Sequence, residues 1–340
     1  AHVQKIVEAM GKKPPKGAVS PGSKAVGKSC REQADELPSD KATLYKSLSA
    51  TSLFVSADRM DMQLAVKFLM TAMSKPKVLD WLRLERLSRY LAAKPRLVNM
   101  FVYQDEVADV YVIVDADWAG DTDSRKSTDG GAEFLGAHLI DSWVTTQQVI
   151  ALSSGESEFY GIGNGCARGV WTRNFLRELG VEVGIRCKTD SSAAKGMTGR
   201  IGTGKVRHLE VRFLWVQDKV RQKEIAIDNV DTATNVADMQ TKYLEPARHE
   251  MLLKMLPLRP PSEGWQAAVT VSQILFCESA SRGVSSSSRF DPVFADRNNP
   301  YAHPVKEEIL IKHDTGNEEF LRMVIFKHYA HFAPDRTRSP

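Results

Sequence analysis

Residues 109–117, Asp109-Val110-Tyr111-Val112-Ile113-Val114-Asp115-Ala116-Asp117, read as a strand: β-branched and aromatic side chains run unbroken from Val110 to Val114, and an acid, Asp115, ends the run. Working outward, Ala132 to Ile140 and Ser142 to Val149 read as two more strands joined by polar turns. Glu158 to Leu179 reads as a helix. A strand, a helix, a basic helix, a strand and a terminal helix follow, ending near Leu256. Meandering strands followed by alternating helices and strands predict an α/β fold, a mixed sheet with helices packed on its faces. From 41 to 105 the apolar spacing is helical instead, as in Trp81, Leu84, Leu87 and Leu91, which predicts a small helical segment ahead of the sheet.

Four acids stand where rigid elements begin or end. Asp115 closes the first strand, Glu158 follows Ser153-Ser154-Gly155-Glu156-Ser157 at a helix start, Asp190 closes Ile185-Arg186-Cys187-Lys188-Thr189, and Asp238 begins a helix after Asn235-Val236-Ala237. Carboxylates gathered from separate elements repel unless cations sit between them, and oxygen donors favour Mg²⁺ or Mn²⁺ over zinc. That layout suits a metal-dependent nuclease. Glu156 competes with Glu158 for the second place. Ser153 followed three residues later by Glu156 is a capping-box pattern, which gives Glu156 a structural task and leaves Glu158 for the site.

The same segments closely resemble the ribonuclease H domain of copia-type retrotransposon polyproteins. The resemblance rests on Asp115-Ala116-Asp117-Trp118-Ala119-Gly120-Asp121, Arg125-Lys126-Ser127-Thr128, Ala151-Leu152-Ser153-Ser154 running into Glu158, Thr189-Asp190-Ser191-Ser192-Ala193, Arg207-His208-Leu209-Glu210-Val211-Arg212 and Ala237-Asp238-Met239-Gln240-Thr241-Lys242. Six such segments in order, over roughly residues 108–256, make coincidence improbable. The resemblance implies a ribonuclease H-like mixed sheet and Mg-dependent cleavage of the RNA strand of RNA:DNA hybrids. Two Mg²⁺ ions, replaceable by Mn²⁺, would lie about 4 Å apart. Asp115 would bridge both, Asp238 would complete the water-activating site, and Glu158 with Asp190 would hold the leaving-group ion. Upstream, Tyr45-Lys46-Ser47-Leu48 through Arg89-Tyr90-Leu91 resembles the helical end of the adjoining reverse transcriptase, with Arg59-Met60-Asp61-Met62 where that family has an Arg-Pro-Asp-Ile run. The implied partners are an RNA:DNA hybrid and the reverse transcriptase part of the same polyprotein.

The chain has 340 residues, 42% of them hydrophobic, so it can build one or two cores with flanking material left over. Residues 1–40, rich in Lys, Gly, Pro and Ser, read as a flexible lead-in. Residues 108–256 are the sheet-bearing domain and 257–340 a loop-rich, unassigned tail, with one strand expected around Glu308 to Ile311. The formal charge is +4. Gly199 to Lys223 nevertheless holds seven Lys or Arg against two acids, and Arg200, Lys205, Arg207 and Arg212 are expected to meet nucleic-acid phosphates. Cys30, Cys166, Cys187 and Cys277 are scattered, which indicates neither a zinc site nor a disulfide framework. No apolar run reaches membrane-spanning length and no signal peptide is visible. The expectation is an intracellular protein, in a cytoplasmic particle or the nucleus, without membrane contact and not secreted.

Several rival readings fail on particular residues. Gly199-Arg200-Ile201-Gly202-Thr203-Gly204-Lys205-Val206 copies the spacing of a phosphate-binding P-loop, but Val206 stands where Ser or Thr must meet Mg²⁺, and the segment follows a short helix rather than a strand. Asp117, Asp121, Asp123 and Asp129 lack the ligand order of a calcium loop and read as solvated. His328 and His331 lack further ligands and read as surface residues; Trp215 reads as core. An integrase or transposase expects the order Asp, Asp, Glu, and a polymerase expects a Tyr-x-Asp-Asp motif absent here. One rival remains open, a catalytically weak or inactive nucleic-acid-binding remnant of the same fold. The 158–179 helix carries Gly161, Gly163, Gly165 and Gly169, each worth about 0.8–1.0 kcal/mol against Ala in a helix interior. Asp228 to Asp238 also lacks the mobile His of many ribonucleases H.

Overall fold

The structure is a computed structural model that describes residues 2–11, 17–23, 34–104, 107–121, 124–204, 206–209 and 211–261, together with the backbone of 309–310 and 322–323. Ala1–Ile274 form one compact unit and Leu275–Pro340 a second. In the second, Ile309–Leu310 (β8) pairs antiparallel with Arg322–Met323 (β9), where the sequence led us to expect a strand. Cys30, Cys277, His328 and His331 lie outside the described residues.

Helices α1 (His2–Ala9), α2 (Ser39–Ser56), α3 (Gln63–Thr71) and α4 (Val78–Ala93) share a core of Ile6, Tyr45, Leu48, Val66, Leu69, Leu84, Leu87 and Leu91. The flexible lead-in expected for 1–40 is corrected here over its described parts. Val3, Ile6 and Val7 recur at helical spacing and pack into this core, and Ala18 and Ser20 are also buried. Average composition hid them, because a few apolar residues on one helical face suffice to dock a segment.

Asp61 joins this layer together. Arg59 donates through Nε and Nη2 to its two carboxylate oxygens, each at 2.8 Å, and the Tyr90 hydroxyl of α4 donates at 2.6 Å. Helix α9 (Pro246–Met255) brings His249 within 3.3 Å of the Asp61 carbonyl, its ring edge-on to Tyr90. Burial alone would raise the Asp61 carboxyl. The hydrogen bonds and charge of Arg59, with the Tyr90 hydroxyl, outweigh it and hold the group below the usual carboxylate value.

The sheet runs β4-β3-β2-β5-β6, with β2 Asp109–Ala116, β3 Thr128–Leu135, β4 His138–Thr146, β5 Gly184–Thr189 and β6 Ala226–Asn229. The first three strands are antiparallel; β5 lies parallel to β2 and β6 parallel to β5. This is the ribonuclease H-like mixed sheet, with helices on its faces and a small helical layer before it. Val110, Val112 and Val114 face α5 (Ser154–Glu178), where Phe159, Ile162 and Cys166 cover them along with Ile185 and Cys187. Short helices α6 (Ser192–Thr198) and α7 (Trp215–Arg221) complete that core through Ala194, Met197 and Val216. Ile113, Ala132 and Phe134 join a second core with Met239 of α8 (Asp238–Thr241) and Leu252, Leu253 and Leu256. Val98–Asn99 (β1) pairs with Leu258–Arg259 (β7), so the chain on either side of the main sheet returns to one place. No helix among the described residues is long and apolar enough to cross a membrane.

The second strand starts four residues earlier than its sequence suggests. Gly130 and Gly131, ahead of the expected start at Ala132, both lie in β3 where neighbours press on their backbone: a Cβ would meet Gln240 Cβ at 2.3 Å or the Trp143 ring at 2.2 Å. Close packing also corrects the reading of the α5 glycines as marks of decay. All four are buried, and a Cβ at Gly165 would lie 2.5 Å from Val114 Cγ1, at Gly169 3.0 Å from Val112 Cγ2 and at Gly163 3.1 Å from Phe213. Only at Gly161 are the contacts ordinary, 3.4 Å and longer.

Gly165→Ala is therefore expected to destabilise by about 1–3 kcal/mol through overpacking, whereas Gly196→Ala in α6, with no atom within 4 Å, should stabilise by about 0.5–1 kcal/mol. Thermal melts of the two variants check both signs. Asp61→Asn should cost about 3–5 kcal/mol, because it leaves the Arg59 charge buried and without its carboxylate. A carboxylate with a depressed folded value stabilises above its unfolded value of about 3.9 and loses that contribution as pH falls through the folded value. Urea titrations should thus show the difference between parent and variant shrinking below about pH 4.

Candidate metal centre

Asp115 is the last acid of the central strand β2, buried and paired in register with Gly130. Glu158 sits on α5 just past its capped start: Ser153 is the N-cap, its hydroxyl accepting the Glu156 amide at 3.2 Å. Asp190 follows β5, the parallel neighbour of β2. Three elements packed on one core thus place one carboxylate oxygen from each of Asp115, Glu158 and Asp190 within 4.8 Å of one another.

Asp238, the fourth expected member, is not among the three. Its carboxylate is turned towards cations: Lys242 Nζ lies 2.7 Å from Oδ1 and Arg248 Nη2 2.6 Å from Oδ2. Lys242 also lies 3.5 Å from Asp115 Oδ2, and the Thr241 hydroxyl donates to that same oxygen, so Asp238 adjoins the group through Lys242. Thr241 and Lys242 stood in the quoted sequence segment without a role, and Arg248 was not singled out at all. An i,i+4 relation between Asp238 and Lys242 was the available signal for one of them.

Burial pushes the Glu158 carboxyl up to about 9, with the negative charges of Asp115 and Asp190 adding to it. Asp115 is pushed up to about 6, by burial first and then by Asp238 and Asp190, against the opposing charge of Lys242 and the Thr241 hydroxyl. Glu158 accepts the Ala116 amide, but its Oε2 is buried without a hydrogen-bond partner. An oxygen-only donor set, excess negative charge and an orphaned carboxylate oxygen fit a hard divalent cation such as Mg²⁺ or Mn²⁺.

Glu156 is separated from the site, as its capping role required, though its partners differ from the simple capping box. Oε2 accepts the Leu152 amide at 3.0 Å and lies 2.7 Å from His208 Nε2, and Oε1 accepts the Tyr160 hydroxyl at 2.6 Å. The expectation that Asp129 is solvated is overturned. It is 1% exposed on β3, holds hydrogen bonds from Gln147 and Asn164, and is pushed by burial up to about 6. Its β3 position, hidden by the two glycines after it, explains the error. Asp117 is partly buried, its carboxylate accepting the Thr128 amide, and Asp123 lies outside the described residues. Lys67, reaching in from α3, donates to the Thr128 hydroxyl at 2.8 Å among Asp117, Asp121 and Asp129.

The basic stretch forms no long helix. Residues 211–213 make a single 3-10 turn and only Trp215–Arg221 is α-helical; before it, Gly202 and Gly204 adopt φ of 73° and 57°, which breaks helical continuity. Arg207 and Arg212 are exposed, Arg212 donating to Gln148 Oε1 at 2.7 Å. Arg200 turns back on its own loop, bonding the Thr203 carbonyl at 3.0 Å, and Lys205 lies outside the described residues. Lys219 and Arg221 pair with Glu224 and Asp218. Trp215 packs partly buried against the sheet core, in keeping with a core role.

No protein-family model matches the chain. Over 208 residues, 59% of the chain, it is 29% identical to the retrovirus-related Pol polyprotein from transposon RE2 of Arabidopsis thaliana, covering 14% of that protein. Over 263 residues, 75% of the chain, it is 24% identical to the corresponding polyprotein from transposon TNT 1-94 of Nicotiana tabacum, covering 20% of it. The chain thus spans a small part of these relatives. Among solved structures, the N-terminal RNase H domain of a Mycobacterium tuberculosis protein, fused to maltose binding protein, aligns at 17% identity and a TM-score of 0.29, covering 43% of this chain and 97% of that one. The chain is a homologue of the retrovirus-related Pol polyproteins of copia-type transposons, and the fold it carries is ribonuclease H-like.

Proposed function

We propose that this chain is a ribonuclease H that cuts the RNA strand of RNA:DNA hybrids inside the cell, as a segment of a larger retrotransposon polyprotein. The observation that carries the reading is the meeting of Asp115, Glu158 and Asp190, from β2, α5 and the end of β5, within 4.8 Å. These three would hold Mg²⁺ or Mn²⁺, with Asp238 as an adjoining ligand. When bound, a pair of such ions would activate water and stabilise the leaving oxygen of a phosphodiester. The chain's own task is placement. The Ala116 amide and the Thr241 hydroxyl orient Glu158 and Asp115, while Lys242 and Arg248 fix Asp238 beside them.

The exposed Arg207 and Arg212 suit contact with hybrid phosphates, and recognition of the RNA strand would rest on its 2′-hydroxyls and duplex shape. The helices upstream of the sheet correspond to the end of the reverse transcriptase. They share a compact unit with the sheet and send Lys67 to the start of β3, which favours their working with the nuclease in one piece. The inactive-remnant reading loses its main support, since Gly163, Gly165 and Gly169 lie where close packing limits side-chain room.

Asp115→Asn should abolish cleavage of a labelled hybrid in Mg²⁺ while leaving hybrid binding in place, and Glu158→Gln should do the same. Glu156→Gln should keep turnover within a few fold and lower the melting temperature, because it weakens the hydrogen bonds to Leu152, Tyr160 and His208. Cleavage by Asp115→Asn at the parent's rate would remove the assignment. Neutralising Arg207 and Arg212 together should weaken binding to hybrids of any sequence and reduce the slope of log affinity against log salt by about 2, as read from binding titrations across salt concentrations.

A further inference from the structure

Trp118 is an exposed aromatic side chain that the structure holds still. Three residues beyond Asp115, it is 53% exposed, yet its indole N–H donates to the Ala151 carbonyl at 2.9 Å. The backbone on both sides is fixed as well. Ahead of it, the Asp117 carbonyl accepts the Ser157 hydroxyl of α5 and the Asp117 carboxylate accepts the Thr128 amide. Behind it, Ala119 takes a φ of 52°, a left-handed conformation unusual for a residue with a Cβ, and donates its amide to the buried Ser127 hydroxyl at 3.1 Å. Left-handed non-glycine backbone persists where surrounding structure imposes it, and such places concentrate at functional sites.

The ring's surroundings indicate what it meets. The carbonyl that anchors it lies between Ile150 and Leu152, 50% and 63% exposed, so an apolar rim borders the start of the helix that carries Glu158. The same segment is tied to a cation: Gln148, two residues before Ile150, accepts from the exposed Arg212. An anchored aromatic face three residues beyond Asp115 is thus bonded to the same 148–152 segment that the Arg212 guanidinium contacts. Nucleic acid presents flat apolar faces, sugar and base, beside charged phosphate, and aromatic packing on those faces adds affinity without choosing sequence. In a duplex the bases are stacked inside, which leaves the sugars of the wide, shallow minor groove within reach of a side chain.

We infer that Trp118 is a substrate-contacting residue that packs its exposed ring against a sugar of the bound hybrid next to the carboxylate group, positioning the strand for cleavage. This rests on the ribonuclease H reading above. The contact is apolar and releases no counterions, so it differs from the arginines in a measurable way: its loss lowers affinity at every salt concentration by the same factor.

The test measures hybrid binding by the full chain in EDTA, over a series of salt concentrations, for the parent, Trp118→Ala, Trp118→Phe and Leu152→Ser, with a thermal melt of each. Trp118→Ala should raise Kd about tenfold with an unchanged salt slope, and Trp118→Phe, which keeps an aromatic face without the indole N–H, should recover most of that loss. The parent's tryptophan fluorescence should change on titration with hybrid, and that change should shrink in Trp118→Phe. A parent-like Kd for Trp118→Ala overturns the inference. So does equal weakening by Ala and Phe that follows their melting temperatures, because that marks a merely structural role. If the parent neither binds hybrid in EDTA nor cleaves it in Mg²⁺, the ribonuclease H reading fails instead; if it binds in EDTA, cleaves in Mg²⁺ and Trp118→Ala matches it in both, only the Trp118 contact is lost.

Discussion

Three carboxylates with oxygens inside 4.8 Å of one another repel, and the Lys242 charge, the Thr241 hydroxyl and the Ala116 amide offset only part of the cost. Their closeness depends on the packing of β2, α5 and β5 around Val112, Val114, Phe159, Ile162 and Cys187. The stability of that core offsets the cost of burying these carboxyls and, after that, of crowding them together, which shows as the raised values of Asp115 and Glu158. A site of this kind is prepared for cations, since bound divalent charge would turn the repulsion into attraction.

That constraint explains why α5 carries so many glycines. To bring Glu158 to the end of β2 the helix must lie close over the valines of that strand, and at Gly165 the distance leaves no room for a methyl group while at Gly169 a methyl would be tight against Val112 and Ile185. Helix propensity is given up for proximity. On the other face the approach of α8 to β3 repeats the arrangement, with Gln240 pressed against Gly130 while the neighbouring Thr241 bonds to Asp115. Both approaches end at the same carboxylate group.

The helical layer upstream uses a different device. Arg59, Asp61 and Tyr90 form a buried charged network whose His249 contact reaches the helix that follows the sheet, and Lys67 extends from α3 to the Thr128 hydroxyl. Segments far apart in sequence are thereby held in one compact unit. A purely apolar contact would supply adhesion; directional hydrogen bonds to Asp61 also set the angle at which the pieces meet.

Much of this was legible in the chain itself. The uninterrupted run from Val110 to Val114 and the acids at element ends follow from local propensity and period, and the Ser153 cap separated Glu156 from Glu158 without any coordinates. What sequence could not determine were relations between distant residues. The burial of Asp129, the role of α1, the turning of Asp238 towards Lys242 and Arg248, and the length of the basic helix all depended on which surfaces came together. Gly130 and Gly165 show why. A glycine reads locally as a loss of propensity, and only the position of Gln240 or Val114 reveals it as room for a neighbour. Order, period and residue type belong to the chain, whereas charge pairing and close approach belong to the folded molecule, because their energies depend on distances that no single segment contains.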